Sequence, residues 1–324
     1  MSLATAAPAA AWSGVSWPTQ SLGDRGTDVL AIQNLLRAGR PILTGGPSRP
    51  RPIVIAINPI VAPLDGVFGQ TTADAVSAYQ VRTGRVATGV VDAATWTALA
   101  QPVSLGATGS AVVALEGELV AKRGASIAVD GTFDSSTRTA VIAFQKHAGL
   151  AQTGIADTAT WRSLVWHFEL PQFTAGSLCD YMTSNGAANW GTASAIDWLE
   201  AAGRWSVAAG YGRIAVGDVG LEHGGDIAGH ETHERGLDAD IRPLRKANDQ
   251  CSWGTRWTYT TYDRAATRAL IKAIRSIAPG HVKLIYFNDP VLISEGLTTR
   301  YTGHEDHLHV SFCEATHPVP LYDC

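Results

Sequence analysis

The chain has 324 residues, of which 45% are hydrophobic and 17% are charged, so it can bury more than one core and is not typical of disordered proteins. Its net charge of −4, without a long basic run, argues against a nucleic acid as partner. No apolar run is long enough to span a membrane. The length predicts two or three domains.

The N-terminal segment, residues 1–17, starts with MSLATAAPAAAW. It is rich in small residues but lacks the apolar centre of a signal peptide. We interpret it as an N-terminal arm or as the remnant left after a signal peptide.

The first half contains one sequence unit twice, which indicates a repeated structural module. Three pairs of segments match: SLGDRGTDVLAIQNLL (21–36) and SLGATGSAVVALEGEL (104–119), DGVFGQTTADAVSAYQ (65–80) and DGTFDSSTRTAVIAFQ (130–145), and TGVVDAATWTAL (88–99) and TGIADTATWRSL (153–164).

Each unit is predicted to be helical, because apolar residues recur at helical spacing. In the first unit these residues are Val29, Ile32, Leu35 and Leu36, and then Ala75, Val76 and Tyr79. We expect Thr71 or Thr72 to cap the second helix and Asp92 to cap the third, before Trp96. An insert at about 40–63, rich in Pro, Arg and Ile, is predicted to be a loop or a small hairpin.

The repeated unit resembles the type 1 peptidoglycan-binding domain, a small three-helix module. The motifs LGxxGxxV, DGxFGxxTxxAVxxYQ and TGxxDxxTWxxL cover nearly the full length of both units. The second unit departs from the pattern at Asp134, where the first has Gly69. The resemblance implies two modules, 18–101 and 102–168, that bind the cell wall without cleaving it. Two packing scaffolds that bind nothing are the alternative.

The four cysteines lie in the second half and form no CxxC pair. Such wide spacing fits two disulfides of a secreted protein better than a zinc knot, with free buried thiols as the alternative. Three pairings are open for Cys179, Cys251, Cys313 and Cys324.

Two segments of the last third alternate apolar and polar residues as strands do. In GLDADI (236–241), Asp238 and Asp240 share one face, opposite the apolar residues. In HLHVSF (307–312), His307 and His309 share one face in the same way. Each predicted strand therefore brings ligand-type side chains to one cleft.

These residues predict a catalytic zinc site, which needs three protein ligands and an open position. Two imidazoles and a carboxylate from His233, Asp240 and His309 suit zinc well. Zinc supplies a nucleophile by lowering the pKa of water, and no G-x-S-x-G motif competes for that role.

The segments GHETHERGLDADI (229–241) and GHEDHLHV (303–310) resemble the penicillin-insensitive murein endopeptidases, part of a zinc-enzyme group with lysostaphin, D-Ala-D-Ala carboxypeptidases and hedgehog domains. The resemblance implies a zinc peptidase domain at 169–324, built on a small antiparallel sheet with flanking helices. Its implied ligands are His233, Asp240 and His309. Three further histidines are implied in the site: His307 beside the reacting carbonyl, His230 and His304.

Two neighbouring residues, Asp306 and His307, are candidates for the general base. Carboxypeptidase relatives carry a Glu three residues before the last ligand, where this chain has Asp306. On a strand, Asp306 points away from the face that carries His307 and His309. We therefore favour His307 as the residue that handles the proton and keep Asp306 as the second candidate.

Together these features predict a multidomain protein: two small three-helix α bundles, then an α+β zinc peptidase domain. We expect a secreted, monomeric Zn²⁺-dependent endopeptidase, extracellular or periplasmic, that cleaves peptide cross-links of peptidoglycan and is held there by its two modules. One alternative is a D-Ala-D-Ala carboxypeptidase or L-Ala-D-Glu lysin-type peptidase. Another is a non-catalytic wall-binding protein with a structural zinc site. The residues that bind the substrate are not predicted.

Overall fold

A computed structural model of the chain divides into two compact units, 1–166 and 167–324. It describes residues 16–38, 43–44, 53–54, 63–182, 188–227, 229–315 and 323–324. All but two residues of the predicted N-terminal arm lie outside this part. Trp17, the last residue of that arm, is buried and stacks on Trp96 with 5.3 Å between the ring centroids.

The first unit contains three helices in each sequence repeat. They are α1 (Thr27–Arg37), α2 (Gln70–Arg82), α3 (Ala93–Leu99), α4 (Ser110–Arg123), α5 (Ser135–His147) and α6 (Thr158–Trp166). The predicted apolar stripes of α1 and α2 are buried. Of the predicted insert, the structure describes residue 63 and the strands β1 (Leu43–Thr44) and β2 (Ile53–Val54), which pair antiparallel, as in a small hairpin. The rest of the insert lies outside the described residues.

The helix caps agree with the prediction in one place and differ in another. Asp92 caps α3 by accepting a hydrogen bond from the Thr95 amide at 2.8 Å. The cap of α2 is Gly69, so the expectation of Thr71 or Thr72 is wrong. The helix starts earlier, and the hydroxyl of Thr72 instead donates to the Val67 carbonyl.

Buried polar side chains anchor the Asp-Gly turn of each repeat. The side-chain oxygen of Gln33 on α1 accepts the amide protons of Asp65 and Gly66. Glu116, at the matching position of α4, accepts those of Asp130 and Gly131. Each turn is thereby fixed to the helix before it, which explains why these polar residues recur inside a core.

One hydrophobic core contains residues of both repeats. Beside it, Lys122 of α4 is fully buried, with its Nζ 2.7 Å from Asp28 Oδ1 of α1 and 3.7 Å from Glu118 Oε2. Burial raises the pKa of Asp28, although the charge of Lys122 acts against that shift. This ionic contact joins the first repeat to the second.

The second unit is α+β, with a five-stranded sheet in the order β3-β4-β5-β7-β6. Its elements are a 3-10 turn (Phe173–Ala175), β3 (Leu178–Asp180), α7 (Ala193–Ala208), β4 (Ile214–Val216), β5 (Asp238–Ile241), α8 (Arg264–Ile277), β6 (Val282–Tyr286), α9 (Pro290–Ser294) and β7 (Leu308–Phe312). None of the helices in the described part of the chain is long and apolar enough to cross a membrane.

The sheet is mixed, whereas an antiparallel sheet was expected. Strands β3 and β4 are parallel, and the other three pairings are antiparallel. Helix α7 lies between β3 and β4 in the chain, and such a crossover returns the chain to the same end of the sheet. The alternation in β5 and β7 carries no information about this parallel edge of the sheet.

The two faces of the sheet differ in polarity, as the alternation in β5 and β7 predicts. The apolar residues of both strands join one buried core with α7 and α8. Trp198 of α7 packs on Phe312 with 5.1 Å between ring centroids. The opposite face of β5 and β7 is left to polar side chains.

All four cysteines form disulfides, which confirms the prediction of two bridges. Cys179 pairs with Cys251 and Cys313 with Cys324, with Cα–Cα distances of 5.9 and 5.1 Å. The first bridge ties β3 to the segment after β5, and the second ties the end of β7 to the C-terminal residue.

Candidate metal centre and active site

The candidate site lies on the polar face of β5 and β7. The register pairs Asp240 with His309 and Asp238 with Ser311, so these four side chains stand together. His233 enters from the loop before β5 with a φ of 74°, a rare conformation for a residue other than glycine. Its amide donates to Asp238 Oδ2 at 3.0 Å, which holds this loop against the strand.

Three possible ligand atoms face one another: Nε2 of His233, Oδ1 of Asp240 and Nδ1 of His309. His309 Nδ1 lies 3.1 Å from each of the other two atoms, which are 3.5 Å apart. In a tetrahedral zinc site with bonds of about 2.0–2.2 Å, ligand atoms are roughly 3.3–3.6 Å apart. The spacing of this triangle therefore suits one small cation.

In both imidazoles, the ring nitrogen that points away from the triangle has a hydrogen-bond partner. The nitrogen that faces the triangle can therefore offer its lone pair to a metal ion. His233 Nδ1 lies 3.1 Å from the carbonyl oxygen of Val219, to which it can only donate. His309 Nε2 lies 3.2 Å from Asp238 Oδ1 and 3.1 Å from Ser311 Oγ. Such partners orient a metal-binding histidine and increase its basicity. The donor set thus fits zinc by its chemistry as well as by its spacing.

The electrostatics of the cluster also favour a cation. Burial opposes the charge of Asp240, but hydrogen bonds from His233 and His309 outweigh it and hold the pKa of this carboxyl well below its usual range. Burial likewise opposes the charge of His309, but Asp238 and Asp240 raise its pKa to about 9. The two carboxylates thus favour a positive charge at this position, which a proton or a metal ion can supply.

A cleft of about 350 Å³ opens over the cluster. Its lining includes Asp240, His309 and the remaining predicted histidines, His230, His304 and His307. Aromatic rings form part of the wall: Tyr286, paired with His309 across β6 and β7, stacks on Tyr301 with 4.7 Å between centroids. The volume is within the range of small-ligand sites.

His307 stands between the cluster and a carboxylate. Its Nε2 lies 3.9 Å from Asp240 Oδ1, and its Nδ1 lies 3.1 Å from Asp306 Oδ1. Asp306 is about half-exposed, on the far side of His307, and its other oxygen lies 3.5 Å from Arg256. The strand begins only at Leu308, so strand alternation does not apply to Asp306, whose side chain contacts the ring of His307 and not the cluster.

The other two predicted histidines, His304 and His230, also line the cleft. His304 packs 4.6 Å from His307 between ring centroids, and burial lowers its pKa. His230 Nε2 lies 3.2 Å from Asp218 Oδ2, and its Nδ1 lies 3.9 Å from Asp240 Oδ2. His230, His233 and Asp240 also offer one ligand-type atom each within 4.8 Å of one another, so His230 is a further possible ligand.

Comparison with known families now separates the two units. A model of a peptidoglycan binding domain matches residues 57–99 and 108–164, and a model of the penicillin-insensitive murein endopeptidase matches residues 169–277. The chain joins peptidoglycan-binding domains to a murein endopeptidase domain. The predicted order of peptidoglycan-binding and endopeptidase domains is thereby confirmed.

Other comparisons add little. No curated protein matches the chain. A solved structure of a peptidoglycan-binding protein from Clostridioides difficile, in complex with glutamine hydroxamate, is 35% identical over 20% of this chain, with a TM-score of 0.20. The match covers 40% of that protein's chain, so this chain spans less than half of its length.

The family match contains the first histidine cluster of the endopeptidase domain and ends before the second. The fold, through the pairing of β5 with β7, brings His309 to Asp240 and His233. Sequence reasoning missed Ser311 and the Val219 carbonyl as partners of the two imidazoles. The alternation in HLHVSF (307–312) is a signal for Ser311, because it puts this residue on the face of His309, whereas no sequence signal marks a carbonyl.

Proposed function

We propose that the chain is a secreted, zinc-dependent endopeptidase that hydrolyses peptide cross-links of bacterial peptidoglycan. The observation that carries this proposal is the triangle of acceptors from His233, Asp240 and His309, all within 3.5 Å of one another. We favour these ligands over a set with His230, because His230 is turned towards Asp218 and lies further from Asp240.

An open cleft over the cluster supports catalysis rather than a closed structural site. Structural zinc sites are filled by four protein ligands, whereas catalytic ones keep a position for water or substrate. When bound, zinc polarises a carbonyl and lowers the pKa of its water towards neutrality. Asp240 and His309 line the cleft, so a substrate peptide has access to the site.

His307 is our candidate for the proton transfer. Asp306 accepts a hydrogen bond from the protonated Nδ1 of His307, which fixes the ring. Nε2 is then free to act as a base towards Asp240 and the cleft. From there Nε2 can take a proton from the attacking water and later donate it to the leaving amine. Asp306 then acts as a positioning residue, because His307 separates it from the cluster.

The repeats and the disulfides support a location of this activity at the cell wall, outside the cytoplasm. Wall-binding modules raise the local concentration of cross-links near the attached endopeptidase domain. The bridges Cys179–Cys251 and Cys313–Cys324 are typical of proteins in an oxidising compartment. We propose a monomer that acts outside the cytoplasm.

Digestion of purified sacculi tests the proposal, with the released fragments identified by mass spectrometry. We expect fragments cut at peptide cross-links, with intact glycan strands. A chelator is expected to stop the release and added Zn²⁺ to restore it. Cleavage of glycan bonds, or full activity in the chelator, would contradict the proposal. Binding to sacculi without any release would favour the non-catalytic alternative.

A further inference from the structure

Arg242 lies one residue beyond the paired ends of β5 and β7, and the register continued from there places it opposite His307. It follows Asp240 by two residues, so strand alternation places it on the same face. The last pair between β5 and β7 joins Ile241 to Leu308, and the next residues beyond it are Arg242 and His307. The amide of Arg242 still donates to Ala215 O at 3.0 Å, so the extended backbone continues to this position.

The guanidinium of Arg242 has few partners. To the residues that the structure describes it donates one hydrogen bond, to the Gln250 carbonyl at 3.0 Å, although an arginine side chain has five N–H donors. Among the described residues, no carboxylate lies within the 4.0 Å of an ion pair. Arg245, Arg264 and Arg268 of the same unit each pair with a carboxylate, at 2.5 to 2.6 Å.

The ring of Tyr181 supports this guanidinium. The carbon at its centre lies 4.2 Å from the ring centroid, a cation–π contact that holds the planar group in place. The phenol packs against Gly217, where a Cβ atom would lie 2.5 Å from the hydroxyl oxygen, so glycine makes room for it. Burial and the charge of Asp240 raise the pKa of Tyr181, so the ring stays neutral.

Burial of a cation without a carboxylate partner lowers the stability of the fold unless another negatively charged group, such as one on a ligand, pairs with it. Its rigid support, its free donors and its place beside His307 suit a planar anion from the substrate. Arginine binds carboxylates through two parallel hydrogen bonds, which fix orientation as well as affinity. Stem peptides of peptidoglycan carry free carboxylates close to their cross-links.

We propose that Arg242, supported by Tyr181, binds a free carboxylate of the stem peptide and so selects cross-links that carry one beside the scissile bond. This inference rests on the proposed function. It assigns a specificity role to a residue outside the ligand set and outside the proton transfer. Amidation of that carboxylate removes the charge that Arg242 recognises, so amidated cross-links become poor substrates.

Two soluble cross-linked stem-peptide dimers test this inference, one with free carboxylates and one in which these are primary amides. For the full wild-type chain we expect kcat/KM to be roughly 10- to 100-fold higher on the free dimer, the usual effect of one charge-assisted hydrogen-bonded pair. Arg242→Gln is expected to lose that preference through a higher KM on the free dimer, with the amidated dimer unchanged. Arg242→Lys is expected to keep part of it.

Arg268→Gln is the matched control, because its guanidinium already pairs with Glu295 and lies on α8. It is expected to keep the wild-type preference. Bound zinc and melting temperature, measured for every variant, show whether the fold is intact. An equal loss on both dimers in Arg242→Gln would overturn the inference, since a structural or oxyanion role predicts that result. Equal cleavage of both dimers by the wild type would overturn it too, while cleavage of neither would overturn the proposed function itself.

Discussion

Each unit of the molecule buries a cluster of three titratable side chains. The two clusters differ in whether a lysine or arginine belongs to the cluster. In the repeats, Lys122 supplies a cation to Asp28 and Glu118. In the endopeptidase domain, two imidazole nitrogens and a carboxylate oxygen face one another, and no Lys or Arg of the described residues pairs with Asp240. Burial of ionisable groups therefore does not mark a site by itself. A buried cluster indicates a metal site when several lone-pair donors face one another and no lysine or arginine pairs with them.

The largest effect on stability is expected from breaking the cluster of the repeats. Lys122→Ala leaves Asp28 and Glu118 buried without their cation, which costs about 3–5 kcal/mol of the free energy of unfolding. Denaturant unfolding measures this loss, with the exposed Lys146→Ala as control. Bound zinc is expected to stay unchanged. A Lys122→Ala chain within about 1 kcal/mol of wild type would show that the pair does not join the repeats.

Removal of His307 tests whether chemistry and metal binding are separate within the second cluster. His307→Ala is expected to keep bound zinc and its melting temperature, because the ring is outside the ligand triangle. Its turnover is expected to fall roughly 100-fold or more, the usual contribution of a general acid or base. Asp306→Ala is expected to lose less, since that carboxylate positions His307.

Cleavage of one muropeptide dimer by both variants, measured side by side, decides between the two residues. A larger loss in Asp306→Ala than in His307→Ala would make Asp306 the base. A fully active His307→Ala chain would move the role to another residue of the cleft.

A smaller effect is expected where the two repeats differ, at the cap of their second helix. Hydrogen bonds from Ser136 and Thr137 hold the pKa of Asp134 below its ordinary value of 3.8, whereas Gly69 has no side chain to cap α2. A depressed folded pKa means that the stabilisation is present above the unfolded pKa and is lost as the pH falls through the folded one.

Asp134→Ala is therefore expected to lower the melting temperature of the repeats near neutral pH, with the difference from wild type shrinking below about pH 4. Asp134→Asn is the control, because it caps without titrating. A difference that stays constant down to pH 2 would show that the charge of Asp134 contributes nothing.

The sequence predicts local features well, because helix and strand periods depend on neighbouring residues. The stripes of α1 and α2, the cap at Asp92 and the shared face of Asp238 and Asp240 are examples. The cap of α2 was the exception, since a glycine carries no side-chain signal.

What depends on distant contacts was harder to predict. The parallel edge of the sheet requires the pairing of β3 with β4, and the cysteine pairing requires the complete fold. The partners of His233 and His309 include a backbone carbonyl, which no residue type reveals. Nothing in the sequence distinguishes Arg242 from other charged residues, because its lack of a carboxylate partner among the described residues depends on the fold.

We propose that His233, Asp240 and His309 together hold one zinc ion. Elemental analysis of the purified full chain and of His233→Ala, Asp240→Ala and His309→Ala tests it most directly, with His230→Ala as the matched control. We expect about one zinc per chain in the wild type and in His230→Ala, and well below one in the three ligand variants, because two remaining ligands hold zinc poorly. Full zinc in all three ligand variants, or its loss only in His230→Ala, would contradict the assignment.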